Sequence, residues 1–163
     1  MEVDFAKFDR YVLDGNALGL TATEAFRRRR PVEFNMPDSI VVSIGYPETI
    51  PDSPYSLQRG YDFQPPVCSS CTLPAVPGVP SNADNFIDFI DTALRRWVRD
   101  TVFPKANFDR DALYGHSFGG LFVLYALTVL PSDPTCSIRS SARRLPSSST
   151  TITSSTILAF WHR

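Results

Sequence analysis

The pentapeptide Gly-His-Ser-Phe-Gly at positions 115–119 carries the clearest chemistry in this 163-residue chain. A serine flanked by glycines, with a strand before it and a helix directly after it, is typical of a nucleophile elbow. Such a turn exposes the serine hydroxyl, and the glycines Gly115 and Gly119 would let the backbone pass close to itself. We predict that Ser117 is a catalytic nucleophile. The simpler interpretation is that Ser117 only caps a buried helix.

A serine that cleaves esters also needs two backbone N–H donors that stabilise the oxyanion of the tetrahedral intermediate. The residue after the nucleophile, Phe118, would supply one of them. The other should come from the turn after an adjacent strand, and the segment Leu-Asp-Gly-Asn-Ala at 13–17 is the only turn that suits. We therefore predict an oxyanion role for Gly15 and Asn16, with Asn16 as the donor. A structural Asx turn is the open alternative.

The acid and the histidine of a serine triad are harder to place. After Ser117 the only carboxylate is Asp133 and the only histidine is His162. Asp133 follows the helix that begins at the serine, which separates the two by roughly 20 Å at 1.5 Å per residue. His162 lies in a segment without a packing pattern, and His116 is the immediate neighbour of the serine and points in another direction. We expect no triad from these residues and leave both partners unassigned.

The elements that must position this chemistry alternate along the chain. Short apolar or β-branched runs predict strands, and segments with helical composition or periodicity lie between them. The order of strand, helix, strand, long loop, helix, strand, sharp turn and helix predicts an α/β fold with a doubly wound, mostly parallel sheet. The strands are expected at 10–13, 39–47 and 111–115, and the helices at 16–30, 81–104 and 117–130.

Three of these elements carry specific expectations about burial. Residues 39–47 contain a continuous β-branched run, as in a strand buried on both faces. The helix at 117–130 is apolar nearly all round, which favours a buried helix. The helix at 81–104 is amphipathic, and its apolar face is predicted to contain Phe86, Ile90, Ala93, Leu94, Trp97 and Val98.

Composition excludes several classes of partner and cofactor. The net charge of −1 gives no reason to expect nucleic acid or a membrane surface as a partner, and the run Arg27–Arg30 complements the dipole of its helix. No apolar run approaches the ~18 residues of a membrane span. The first ten residues lack the pattern of a signal peptide, so we expect a cytoplasmic protein. Cys68 and Cys71 have no second pair, and Cys136 stands alone, so no metal site is predicted.

Four motifs occur in order: "YVLDGNALG", "VVSIGYP", "RGYDFQPP" and "YGHSFGGLFVLYAL". Together they resemble the esterase branch of the α/β-hydrolases, and most closely the ferric-siderophore esterases of the enterobactin and salmochelin type and their fungal relatives. The resemblance covers roughly residues 10–131. It implies a Ser-His-Asp esterase without a metal or organic cofactor that hydrolyses siderophore or similar acyl esters. Arg59 and Asp62 match an Arg-x-x-Asp motif before a proline and are expected to shape the pocket mouth, a plain salt bridge being the alternative.

The family pattern stops near Leu130, where the composition also changes. Residues 1–131 carry a net charge of −4, whereas 132–163 are rich in Ser, Thr and Arg and carry +3. We expect 1–131 to be a partial α/β-hydrolase domain and 132–163 a disordered or ill-packed tail that is not native to the fold. Translation in another frame or through an intron would explain such a tail.

Three functions follow from the resemblance. The first is a serine esterase acting on a small-molecule ester, with ferric siderophores among the expected substrates. The second is another α/β-hydrolase chemistry, such as an S-formylglutathione hydrolase-like thioesterase or an acyltransferase. The third is a non-catalytic remnant. The sequence determines neither the particular ester nor the oligomeric state.

Overall fold

The computed structural model describes residues 7–29, 32, 38–47, 53–66, 77–129 and 156–161. Its strands are β1 (Lys7–Leu13), β2 (Ser39–Ile44), β3 (Phe108–His116) and β4 (Thr156–Trp161). Its helices are α1 (Gly15–Arg29), α2 (Gln58–Phe63), α3 (Ala83–Asp88), α4 (Arg95–Trp97) and α5 (Phe118–Val129). Two π-helical segments, Phe89–Leu94 and Val98–Val102, make α3 and α4 part of one continuous helical stretch over 83–102.

The four strands form one sheet in the order β2-β1-β3-β4. β1 is parallel to both β2 and β3, with Val12 opposite Ser43 on one side and Tyr114 on the other. β4 runs antiparallel to β3. The predicted mostly parallel sheet is therefore confirmed. The expectation for the tail as a whole stays a prediction, since most of 132–163 lies outside the described residues, but its apolar segment 156–161 pairs with β3.

Helices lie on both faces of the sheet, as a doubly wound fold requires. On one face α1 packs close to the strands, where Phe26 lies under the guanidinium of Arg10 at 4.1 Å. The other face carries the main apolar core, to which β1 contributes Tyr11 and Leu13. This core also contains residues from α2, the 83–102 stretch, β3 and α5, among them Phe63, Ile87, Ile90, Val98, Leu113, Phe122 and Val123.

Burial differs from the prediction at β2. The side chains of Tyr11, Val12 and Leu13 on β1 are 0% exposed, whereas the β-branched residues of β2 are half-buried. The expectation that 39–47 forms the strand buried on both faces is therefore wrong. Among the described residues β2 pairs only with β1, so it lies at the edge of the sheet, while β1 has a strand on each side.

The 83–102 stretch also turns a different face to the core than predicted. Ala83, Ile87 and Ile90 are buried at α-helical spacing, but the next fully buried positions are Arg95 and Val98. The step of five from Ile90 to Arg95 is the spacing of a π-helix, and it rotates the following residues relative to an ideal α-helix. Trp97 is consequently 55% exposed, and Ala93 is exposed as well, so the expectation that they belong to the apolar face is wrong.

This rotation can be tested by a pair of neighbouring substitutions. Trp97→Ala is expected to lower the free energy of unfolding by about 1 kcal/mol or less, because more than half of the residue's surface is in solvent. Val98→Ala should cost about 1–3 kcal/mol, because Val98 is 2% exposed within the core. Urea denaturation followed by circular dichroism measures both, and a larger loss for Trp97→Ala would contradict the observed helix rotation.

The helix α5 is less enclosed than its composition predicts. Its buried residues, which include Phe122, Val123 and Ala126, lie on one face, while Leu124 and Val129 are 40% and 45% exposed. The expectation of a helix buried nearly all round therefore holds only for the face toward β3 and the core.

A cluster of buried charges lies beside the amino-terminal halves of β1 and β3, away from the turn after β3. We call Asp9, Asp91, Asp111, Arg95 and Arg99 the acid–arginine cluster. Arg95 forms ion pairs with Asp91 and Asp111. Arg99 forms ion pairs with Asp111 and, at 3.2 Å, with Asp9. Three carboxylates thus face two guanidinium groups between the sheet and the 83–102 stretch.

Candidate active site

Ser117 lies in the turn that joins β3 directly to α5. Its φ of +55° places it in the left-handed region, which a residue other than glycine enters only at a cost of about 1–3 kcal/mol. The residue is exposed, and its carbonyl accepts a hydrogen bond of 3.1 Å from the N–H of Leu121 in the first turn of α5. A strained, solvent-exposed serine between a strand and a helix has the backbone arrangement of a nucleophile elbow.

The two glycines that flank this turn differ in how much space a Cβ atom would have. A Cβ atom on Gly115 would lie 2.3 Å from the carbonyl oxygen of Gly119 and 2.4 Å from its carbonyl carbon. On Gly119 a Cβ would lie 3.4 Å from the Asp14 carboxylate and 3.5 Å from Leu13, both ordinary contacts. The close approach of the backbone therefore requires glycine at 115. The expectation of the same requirement at Gly119 is wrong, because its open side faces β1.

A second turn lies beside the elbow because β1 and β3 are parallel neighbours. Asp14, with φ of +52°, follows β1, and α1 begins at Gly15. The carbonyl of Asp14 accepts hydrogen bonds from Ala17 and Leu18, so the N–H groups of Gly15 and Asn16 precede the bonded ladder of α1. The two turns meet at the carboxyl edge of the sheet, where strand order reverses and ligands commonly bind.

The side chain of Asn16 fixes this second turn to the chain that follows β2. Its Nδ2 donates to the carbonyl of Tyr46 at 2.9 Å, and its Oδ1 accepts from the N–H of Tyr46 at 2.8 Å. A Cβ on Gly45 would lie 2.1 Å from this Oδ1, which explains the glycine there. These bonds replace the local Asx turn that was the alternative for Asn16. The predicted oxyanion role of its backbone N–H stays a prediction.

Arg59 on α2 makes a two-point polar contact beside the elbow. Its Nε and Nη2 donate to the two carboxylate oxygens of Asp14, both at 2.8 Å. Its guanidinium also lies 5.8 Å from the centre of the Phe118 ring and 5.0 Å from that of Tyr55. The partner of Arg59 is therefore Asp14, forty-five positions away, a pairing that no local pattern in the sequence indicates.

Asp62, one turn further along α2, is 6% exposed and serves a different neighbour. It accepts hydrogen bonds from the Tyr46 hydroxyl at 3.0 Å and from the Asn82 side chain at 2.8 Å. Burial, together with the nearby Asp62 charge, raises the pKa of Tyr46 above its usual range. Sequence analysis missed both Tyr46 and Asn82, although Tyr46 stands in one of the four motifs.

An open depression adjoins the second turn. It is a shallow surface groove without enclosed volume, and it is lined by Asn16, Tyr46, Pro47 and residues 53–56. Pro47 and Tyr55 give it apolar surface, while Asn16 and two serines give it polar groups. Arg59 lies next to this depression, since its guanidinium is stacked over Tyr55.

Several predicted residues cannot be placed. Asp133, His162 and the three cysteines lie outside the described residues, so the expectations about the triad and about a metal stay predictions. His116, the last residue of β3, is half-buried directly before Ser117. In the part of the chain that the structure describes, no carboxylate follows Ser117 and no helix is long and apolar enough to cross a membrane.

Comparison with known proteins shows which of them this chain is similar to. No model of a known protein family matches the chain. It is 46% identical over 129 residues to a siderophore enterobactin esterase of Emericella nidulans, a match that covers 76% of this chain and 42% of the relative. It is 42% identical over 132 residues to a siderophore triacetylfusarinine C esterase of Aspergillus fumigatus, covering 80% of this chain and 42% of that protein.

Homologues of this chain are siderophore esterases. The solved structure of the siderophore hydrolase EstA from Aspergillus nidulans superposes with a TM-score of 0.69 at 42% identity, over 80% of this chain and 44% of that one. The resemblance to siderophore esterases and the α/β-hydrolase type of fold are therefore confirmed. The chain spans about 42% of the length of the curated relatives that it matches.

Proposed function

We propose that this chain carries the nucleophile and oxyanion part of a siderophore-type serine esterase, with Ser117 as the nucleophile. The observation that carries the proposal is the left-handed, exposed Ser117 between β3 and α5, at a point where only glycine fits at 115. A serine that merely caps a helix requires neither the strained φ nor the crossing backbone.

The chemistry assigned to this site is acyl transfer. Ser117 Oγ adds to the ester carbonyl carbon, the bond to the leaving alkoxide breaks, and water then hydrolyses the acyl-serine. The backbone N–H groups of Phe118 and of Gly15 or Asn16 stabilise the oxyanion, with help from the positive end of α5. The base that accepts the serine proton and its acid partner are not assigned to residues of the described chain.

The substrate class comes from the relatives, whose names specify enterobactin and triacetylfusarinine C. We extend that class to this chain as small ferric-siderophore esters. The cytoplasmic location expected from the sequence belongs to the same proposal.

A fluorophosphonate probe tests the nucleophile directly, because it phosphonylates activated serines. The proposal predicts labelling of Ser117 in the full chain, located by peptide mass spectrometry, and loss of that label in Ser117→Ala; labelling would also show that a group of the chain accepts the serine proton. Ser53→Ala is the matched control, because Ser53 also lines the depression but lies in a loop without an elbow, and it should label like the parent.

Turnover separates the remaining functions. Incubation with the ferric complex of a trilactone siderophore and with S-formylglutathione, followed by chromatography of the products, distinguishes ester from thioester cleavage. Preference for the thioester would overturn the siderophore assignment. Failure of a folded chain to label at Ser117 would overturn the nucleophile and leave a non-catalytic remnant.

A further inference from the structure

The side chain of Arg59 contacts both turns proposed to supply oxyanion donors. Toward the second turn it donates two hydrogen bonds of 2.8 Å to Asp14, the residue directly before Gly15 and Asn16. Toward the elbow its guanidinium lies 5.8 Å from the Phe118 ring. The distance between the two donor groups depends on how these turns are held relative to each other.

The second turn needs such an external constraint. Asp14 has a left-handed φ of +52°, and its side chain is only 1% exposed. Burying a carboxylate without a partner costs far more free energy than leaving it at the surface. The turn is therefore stable only with a cation beside the Asp14 carboxylate. A planar guanidinium that bonds both carboxylate oxygens fixes the orientation of the carboxylate as well as its charge.

We propose that Arg59, acting through Asp14, is a positioning residue for the oxyanion hole. The inference rests on the proposed function of Ser117 and deepens it. Because Nε and Nη2 of Arg59 are both bonded to Asp14, the guanidinium acts on the reaction through the turn that it holds. The backbone N–H groups of Gly15 and Asn16 move with Asp14, since they follow it directly.

Arg59 and Asp62, both on α2, fix the second turn from different sides. Arg59 holds Asp14, while Asp62 holds Tyr46, whose backbone is in turn bonded to the Asn16 side chain. The second turn is thus fixed on one side through its carboxylate and on the other through Asn16. Arg59 and Asp62 lie one helical turn apart, and each bonds a different partner on the second turn or beside it. The Arg-x-x-Asp motif therefore needs no bond between its own two residues.

The test measures phosphonylation of Ser117 in the full chain, with the maximal rate and the half-saturating probe concentration determined separately. Asp14→Asn and Arg59→Met should each lower the maximal rate about 10- to 100-fold, somewhat less than the ~10²–10³ for loss of a whole oxyanion donor. The half-saturating concentration should change little. The double variant should be no slower than the slower single variant, because the two residues act as one unit.

Arg59→Lys should recover part of the rate, since it keeps the charge but not the two-point bond. Arg27→Met is the matched control, because Arg27 pairs with Glu24 at the surface of α1, away from the site. Should Arg59→Met fail to fold, Asp14→Asn decides, since asparagine also tolerates a left-handed φ. Folded Asp14→Asn that labels at the parental rate overturns the inference, whereas an unlabelled parent chain overturns the proposed function instead.

Discussion

Gly115→Ala is expected to abolish labelling of Ser117 and to destabilise the chain by more than about 4 kcal/mol. The added methyl would lie 2.3 Å from the carbonyl oxygen of Gly119, a backbone atom that no side-chain rotation can move. Relief requires β3 and α5 to separate, which would open the core around Phe122. Urea denaturation followed by circular dichroism measures the stability, and the fluorophosphonate probe measures the site.

Gly119→Ala is the matched control for this clash. Its methyl would meet Asp14 and Leu13 at 3.4 and 3.5 Å, which are ordinary contacts, and alanine favours the helix that glycine weakens. We expect Gly119→Ala to fold with nearly the parental stability. Equal losses in the two variants would show that the turn does not bring residue 115 against the backbone of residue 119.

Asp111→Ala is expected to lower the free energy of unfolding by about 3–5 kcal/mol, the cost of breaking a buried ion pair. Asp111 is 2% exposed and is shared by Arg95 and Arg99, so its loss removes an ion-pair partner from both guanidinium groups between the sheet and the 83–102 stretch. Glu24→Ala is the control, because its pairs with Arg27 and Arg28 are exposed and should matter by less than about 1 kcal/mol. A loss at Asp111 no larger than at Glu24 would contradict the buried cluster.

The same cluster predicts an unusual pH dependence of stability. Burial, opposed by the hydrogen bond from Arg99 and reinforced by the charge of Asp111, raises the pKa of Asp9 from 3.8 to about 6. Between these two values the folded chain binds more protons than the unfolded chain, so this residue makes stability fall as pH rises from about 4 to 6. The loss levels off about one unit above pH 6, where Asp9 is ionised in both states.

Asp9→Asn should remove that slope and should be no less stable than the parent at pH 7. The amide oxygen can still accept from Arg99, while the charge that burial disfavours is gone. Thermal unfolding at pH 4, 5, 6 and 7 measures the slope in both chains. A parental slope that persists in Asp9→Asn would assign the titration to another carboxylate.

Local sequence was sufficient for the elements and for the elbow. Short-range patterns determine where a strand or helix forms, so β1, β2, β3, α1 and α5 lie close to their predicted positions. The turn at Ser117 was equally visible, because its steric demands fall on residues within two positions of the serine. The short helix α2 was missed inside the expected loop over 47–80, since six residues give too little periodicity to detect.

Only the tertiary structure decided which face each element buries. The π-helical spacing turns Trp97 outward and brings Arg95 inward, where it pairs with Asp111 on β3, an arrangement that apolar periodicity does not indicate. Likewise, β2 carries the stronger β-branched run, yet β1 is the buried strand because of its place between two neighbours.

The chain thus determined by itself the order of its elements, the serine at its turn and the family to which its motifs point. The side-chain contacts around Ser117, by contrast, are set by the tertiary fold. Arg59 bonds Asp14 across forty-five positions, and Asn16 bonds Tyr46 across thirty. Such contacts depend on which strands lie side by side, and that arrangement follows from packing the whole sheet, which no short window of sequence contains.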